Sequence, residues 1–181
     1  MKGFLPFVID TAKICFIALL IVLPIRAFVF QPFLVKGASM EPNFSSGDYL
    51  IVDELSYRFR VPERGEVIVL KYPGDPSQKY IKRIIGLPGE TVTVQDGKVS
   101  VKNNGGTAVL KEEYLPQGLE TPGFEEVALG DSEYFVMGDN RPFSSDSRSW
   151  GTLPRQDIIG RAVVRILPLQ ELSAMRAPLY K

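Results

Sequence analysis

The stretch from Ile14 to Phe30 carries one charge, Arg26, in seventeen residues, and no other feature constrains the chain as strongly. That length is at the short end of what crosses a bilayer as a helix. Arg26 near one end could snorkel to the headgroups, and Pro24 is tolerable where its freed carbonyl finds a partner. A cleaved leader is the competing reading, with Lys2 and Lys13 as its basic region and Gly37-Ala38-Ser39 as a small-x-small cleavage site. Phe30, Pro32, Phe33, Leu34 and Val35 are large residues that continue past such a leader, which favours a retained anchor. A buried core helix is the weakest reading, because no amphipathic period is visible. Lys2 and Lys13 on one side nearly balance Arg26 and Lys36 on the other, so charge alone does not orient the segment.

The chain has 181 residues, so one ordinary domain remains after the anchor, long enough for a sizeable core. Lys and Arg number 21 and so do Asp and Glu, a balance without the basic excess of a nucleic-acid partner. Cys15 has no second cysteine to pair with, and there is no histidine at all. Intrachain disulfides are therefore excluded. Zinc and haem sites lose their usual ligands, and neither a metal nor another cofactor is expected.

Beyond Phe30 the pattern is strands and turns. Apolar runs at 49–52, 66–72, 80–87, 134–137 and 158–167 are separated by Gly/Pro/Asp/Ser clusters. Thr91–Gln95 and Lys98–Val101 alternate around Asp96-Gly97, whose residues accept the positive φ of a two-residue hairpin turn. The expected fold is mostly β: an N-terminal transmembrane helix, then a mainly antiparallel catalytic domain with a small inserted subdomain. The expected boundaries are a tail over 1–13, the anchor over 14–30 and the β-rich domain over 31–181, with 103–130 as a variable excursion.

Without histidine, a Ser-His-Asp arrangement is excluded, and the realistic serine chemistry uses an amine. Ser39 lies in Gly37-Ala38-Ser39-Met40-Glu41-Pro42, directly after the anchor; Lys82 lies in Tyr80-Ile81-Lys82-Arg83. Most serines in turns merely cap backbone, and most strand lysines keep their ammonium in water. Catalysis would need Lys82 desolvated, so that its amine is neutral near physiological pH. The apolar neighbours Tyr80, Ile81, Ile84, Ile85 and Met40 are suited to that. The loop Gly138–Gly151 carries two aspartates, two arginines and four serines, enough to stiffen itself through bidentate pairs. On residues alone the chain reads as an anchored β domain with a candidate hydrolase site.

In their order along the chain, Gly37–Pro42, Gly47-Asp48, Tyr80–Gly89 and Gly138–Gly151 resemble the motifs of type I signal peptidases. The resemblance runs from the anchor to about Arg161. It implies that Ser39 is the acyl-forming nucleophile and Lys82 the neutral general base. It further implies that Ser144 orients the lysine amine, that Asp146 and Arg148 form a structural ion pair, and that Met40, Tyr80 and Ile81 line the substrate cleft. The implied substrates are exported preproteins cleaved after small-x-small motifs. The implied location is the cytoplasmic membrane, single-pass and in contact with its lipid, with the catalytic domain on the outer face.

Three positions depart from the family pattern. Asn43 replaces the usual threonine, Pro142-Phe143 the more frequent Asp-Asn, and Gly37 a serine that in some members helps the oxyanion hole. On this reading a signal-peptide segment lies extended along a strand edge near Tyr80 to Ile85. Self-cleaving repressors share a Ser/Lys pair but would be expected to carry a DNA-binding head where this chain has its apolar segment. A membrane-tethered β domain that only binds is the non-catalytic alternative.

Overall fold

The computed structural model describes residues 3–28, 30–175, 177–178 and 180. Helix α1 runs from Phe4 to Phe28, so the segment expected as a tail is helical from Phe4 onward. Phe7, Ile14, Phe16, Ile17, Leu19 and Leu20 project from it exposed. Among the described residues no helix is long and apolar enough to cross a membrane. The anchor reading falls in large part on 21–30, whose side chains lie outside the described set, as does Lys2.

Among the described residues twelve strands follow: β1 Phe30–Leu34, β2 Tyr49–Asp53, β3 Val67–Tyr72, β4 Asp75–Gly86, β5 Thr91–Gln95, β6 Lys98–Asn103, β7 Gly106–Val109, β8 Glu125–Ala128, β9 Glu133–Met137, β10 Leu153–Pro154, β11 Ile158–Leu167 and β12 Ser173–Ala174. All their pairings are antiparallel. The larger sheet has the order β1-β2-β11-β3-β4-β9-β10, with β12 beside β11. The smaller has the order β7-β6-β5-β8.

Sequence explains the layering. Residues Val67 to Leu70 are apolar without alternation, and β3 is buried on both faces. Ile68 and Leu70 pack with Ile84, Val136, Leu153 and Ile158, whereas Val67 packs with Met40, Leu50 and Ile81. In the small sheet the alternation of β5 and β6 turns Val92, Val94, Val99 and Val101 towards Ile85, Phe135 and Met137. Asp96 (φ 51°) and Gly97 (φ 74°) close that hairpin as expected. Gly86 permits the close approach: a Cβ there would lie 2.3 Å from Val92 and 2.7 Å from Leu129.

Two expectations change. The strand expected at 80–87 starts at Asp75. The excursion expected over 103–130 is not separate, because its β7 and β8 flank the β5–β6 hairpin and complete one sheet with it. A two-stranded hairpin is marginal alone, so β5 and β6 recruit neighbours from the polar stretch that follows.

Candidate active site

The turn after β1 is built around Met40. Val35 N–H donates to the Asp48 carbonyl (2.9 Å), Gly47 N–H to the Val35 carbonyl (3.0 Å) and Phe44 N–H to the Met40 carbonyl (2.9 Å). The Met40 side chain, 1% exposed, sinks among Val35, Phe44, Leu50 and Ile81. Ser39, its neighbour, is thereby held half-buried at the tip. Met40 is thus a correction to the expected cleft: it supports the serine from below and lies in the core, away from the groove.

Lys82 reaches Ser39 from β4. It stands opposite Ile68 in the β3 register, is 3% exposed, and its Nζ donates to Ser39 Oγ at 2.6 Å. The Tyr80 ring centroid lies 5.4 Å from the same nitrogen. Burial lowers the Lys82 pKa from its ordinary 10.5 to about 8; the Asp146 and Asp139 charges oppose that fall, and Arg148 adds to it. The amine is therefore neutral in an appreciable fraction of molecules close to neutral pH, in hydrogen-bond contact with a hydroxyl.

The loop after β9 fixes this pair from the other side. Asn140 N–H donates to the Ser39 carbonyl (3.1 Å) and Asn140 Nδ2 to the Ala38 carbonyl (2.9 Å). Gly138 packs so closely that a Cβ on it would meet the Ser39 carbonyl oxygen at 2.3 Å and Ser144 Oγ at 2.2 Å. Asp146, fully buried, accepts from Arg148 Nε (2.8 Å), Arg148 Nη2 (2.7 Å) and Gly138 N–H (3.0 Å). Burial works against its ionisation, but the Arg148 fork and the Gly138 N–H outweigh that and hold its carboxyl below the usual range. Asp146 also caps the short helix α2, Ser147–Trp150. The Asp146–Arg148 pair implied by the resemblance is present in this geometry.

Ser144 is placed differently from the expectation. Its Oγ is buried without a hydrogen-bond partner among the described residues, and Lys82 Nζ bonds Ser39 instead. The 3-10 turn Arg141–Phe143, with Pro142 inside it, delivers Ser144 against Gly138. The expected Ser144–Lys82 hydrogen bond is therefore not made.

Sequence reasoning missed a second buried pair. Arg83 Nε and Nη2 donate to the two Asp139 oxygens at 2.8 and 2.6 Å, and Arg83 Nη1 to the Gly65 carbonyl at 2.9 Å. Asn43 Nδ2 also donates to Asp139 (2.9 Å). Arg141, 1% exposed, pairs with Glu112 and donates to Thr121 Oγ1 (2.6 Å), tying the small sheet's linkers to the loop. The available signal was Arg83 itself: an arginine inside an apolar strand needs a carboxylate, and the loop offered a second aspartate.

A groove of about 550 Å³ opens beside the pair, lined among others by Phe33 and Leu34 of β1, by Ser39, and by Tyr80, Ile81 and Lys82 of β4. Residues of the sheet's edge strand β1 thus face β4 across one groove. Among the described residues, the edge of β4 away from β3 has no strand partner before Arg83, and β9 covers it from Arg83 to Gly86. The peptide edge expected near Tyr80 to Ile85 is corrected accordingly: the free edge ends at Lys82. Gly37, exposed at φ 87°, supplies no side-chain donor. The described residues contain no cluster able to hold a metal ion.

The family model described as "Signal peptidase, peptidase S26" matches residues 8–167. The chain belongs to the signal peptidase family, peptidase S26. It is accordingly a peptidase. A "Probable signal peptidase I-1" of Synechocystis is 40% identical over 171 residues, covering 90% of this chain and 84% of the relative. The "Signal peptidase I" of Leptolyngbya laminosa is 39% identical, with 90% and 81% covered. A solved signal peptidase I from Enterococcus faecalis V583 is 28% identical over 57% of this chain and 98% of its own, with a TM-score of 0.49. The family's activity is the removal of signal peptides by a serine peptidase. Every motif quoted from this chain lies within the matched span.

Proposed function

We propose that this signal peptidase cleaves preproteins with Ser39 as nucleophile and Lys82 as general base. The observation that carries this reading is the 2.6 Å contact between Lys82 Nζ and Ser39 Oγ with the amine buried. The Ser39 Oγ proton passes to neutral Lys82 as Oγ attacks the scissile carbonyl carbon. Collapse of the tetrahedral intermediate expels the new amino terminus, which takes the proton from the Lys82 ammonium and leaves an ester on Ser39. Water then gives a proton to Lys82 and attacks that ester; the Lys82 ammonium returns the proton to the departing Ser39 Oγ, releasing the signal peptide's new carboxyl terminus and restoring both the serine and the neutral amine. The Ser39 N–H makes no hydrogen bond among the described residues and is the backbone donor available to the developing oxyanion.

The signal-peptide segment adds as a strand along the free edge of β4, from Asp75 to Lys82, with β1 as the opposite wall. Tyr80 and Ile81 form the floor on which small side chains fit and larger ones clash. The Asp146–Arg148 pair stiffens the loop that holds Ser39. The segment 14–30, which α1 shares as far as Phe28, is the membrane anchor, supported by the apolar side chains that its described part leaves exposed. The β-rich domain 31–181 then works on the outer face of the cytoplasmic membrane, on substrates concentrated in the same lipid.

The test is cleavage of a purified preprotein in detergent by the full chain, by Ser39→Ala and by Lys82→Ala. Cleavage after a small-x-small motif by wild type alone supports the reading. Full activity in Lys82→Ala moves the base elsewhere, and a folded wild type that binds the preprotein without cutting it favours a binding role.

A further inference from the structure

Asn43 and Ser39 belong to one turn, and the Asn43 side chain makes two bonds that leave it. Nδ2 donates to Asp139 Oδ2 and to the Tyr114 carbonyl, both at 2.9 Å. Asp139 is followed by Asn140, whose N–H holds the Ser39 carbonyl at 3.1 Å. The path Ser39, Asn43, Asp139, Asn140 and back to Ser39 is a closed ring, with Arg83 gripping Asp139 from β4. The Tyr114 end ties that ring to the linker between β7 and β8. Asn43 does not border the groove beside Ser39.

We infer that Asn43 is a positioning residue: its amide locks the nucleophile turn to the Gly138–Asn140 loop and so sets where Ser39 stands relative to Lys82. The inference rests on the proposed Ser39/Lys82 mechanism. A threonine here would carry one hydroxyl proton and could donate a single bond; the asparagine amide has two and spends both. Bonds to a buried carboxylate are among the stronger ones, and losing one loosens every member that shares it.

The experiment measures kcat and KM on a preprotein for wild type, Asn43→Ala, Asn43→Thr and Asn43→Asp. The folded fraction of each is read by circular dichroism at the assay temperature, and rates are expressed per folded molecule. Aspartate keeps the shape of asparagine but turns a donor into a second carboxylate against Asp139, so it keeps the packing while reversing the polar contact. Expected is a fall in kcat of about tenfold in Asn43→Ala and at least as much in Asn43→Asp, at unchanged KM. Asn43→Thr is expected to recover part of it. Wild-type kcat in Asn43→Asp, or a loss confined to KM, overturns the inference while leaving the mechanism standing. A wild type that does not cleave, or a fully active Ser39→Ala control, overturns the mechanism and takes this inference with it.

Discussion

Lys82 and Arg83 are adjacent on β4 and almost equally buried, at 3% and 5% exposure, yet they meet opposite surroundings. Arg83 forks onto the Asp139 carboxylate and keeps its charge. Lys82, on the other face of the strand, finds the Ser39 hydroxyl and no carboxylate within ion-pair distance among the described residues. Alternation along one strand thus separates a structural cation from an amine that burial pushes towards neutrality.

Holding Lys82 in this place costs stability. Its pKa falls from 10.5 to about 8 on folding, so between those values the unfolded chain binds more protons than the folded one. Stability therefore rises with pH across that window, and below it the native state carries a penalty of about 3 kcal/mol. Lys82→Met is predicted to be inactive and more stable than wild type at pH 7, with the difference shrinking as pH approaches 10.5. Urea unfolding of both proteins from pH 6 to 10 checks this.

The Asp146–Arg148 pair has the reverse sign. A carboxyl held below its ordinary 3.8 contributes stability that is present above that value and lost as pH falls through the lower, folded-state value. Asp146→Asn leaves Arg148 without a carboxylate in a mostly buried place and offers one acceptor oxygen to donors from Arg148 and Gly138 that had two. A loss of about 3 to 5 kcal/mol at pH 7 is predicted, narrowing towards acid, and thermal unfolding from pH 3 to 7 reads it.

How much of this was legible beforehand depended on whether neighbours in sequence were enough. The Asp96-Gly97 hairpin was, because a two-residue turn with positive φ is a local property. Ser39 and Lys82 were visible through their motifs and the missing histidine. Met40 was misread because the same small, kinked turn that exposes Ser39 must bury its neighbour, and only the packing against Leu50 and Ile81 decides which one goes in. β7 and β8 have scarcely any apolar pattern, since their side chains are mostly exposed, and their place comes from pairing with β6 and β5. The ring through Asn43 and Asp139 joins residues 96 positions apart, beyond what spacing can reveal.

Gly138 tests how tightly the loop is pressed onto the serine. A Cβ there would stand 2.3 Å from the Ser39 carbonyl oxygen, and backbone cannot swing aside as a side-chain tip can. Gly138→Ala is predicted to displace Ser39 from Lys82 and lower kcat on the order of a hundredfold, the scale of a 1 Å misplacement. Steady-state cleavage by protein shown to be folded measures it.

The central claim, that a buried Lys82 with a lowered pKa activates Ser39 in its neutral form, is tested most directly by the pH dependence of kcat/KM, which reports the free enzyme's essential base. The account predicts a rise that levels off with an apparent pKa near 8. A profile flat from pH 6 to 10, or one still rising towards the 10.5 of an ordinary lysine, would contradict it.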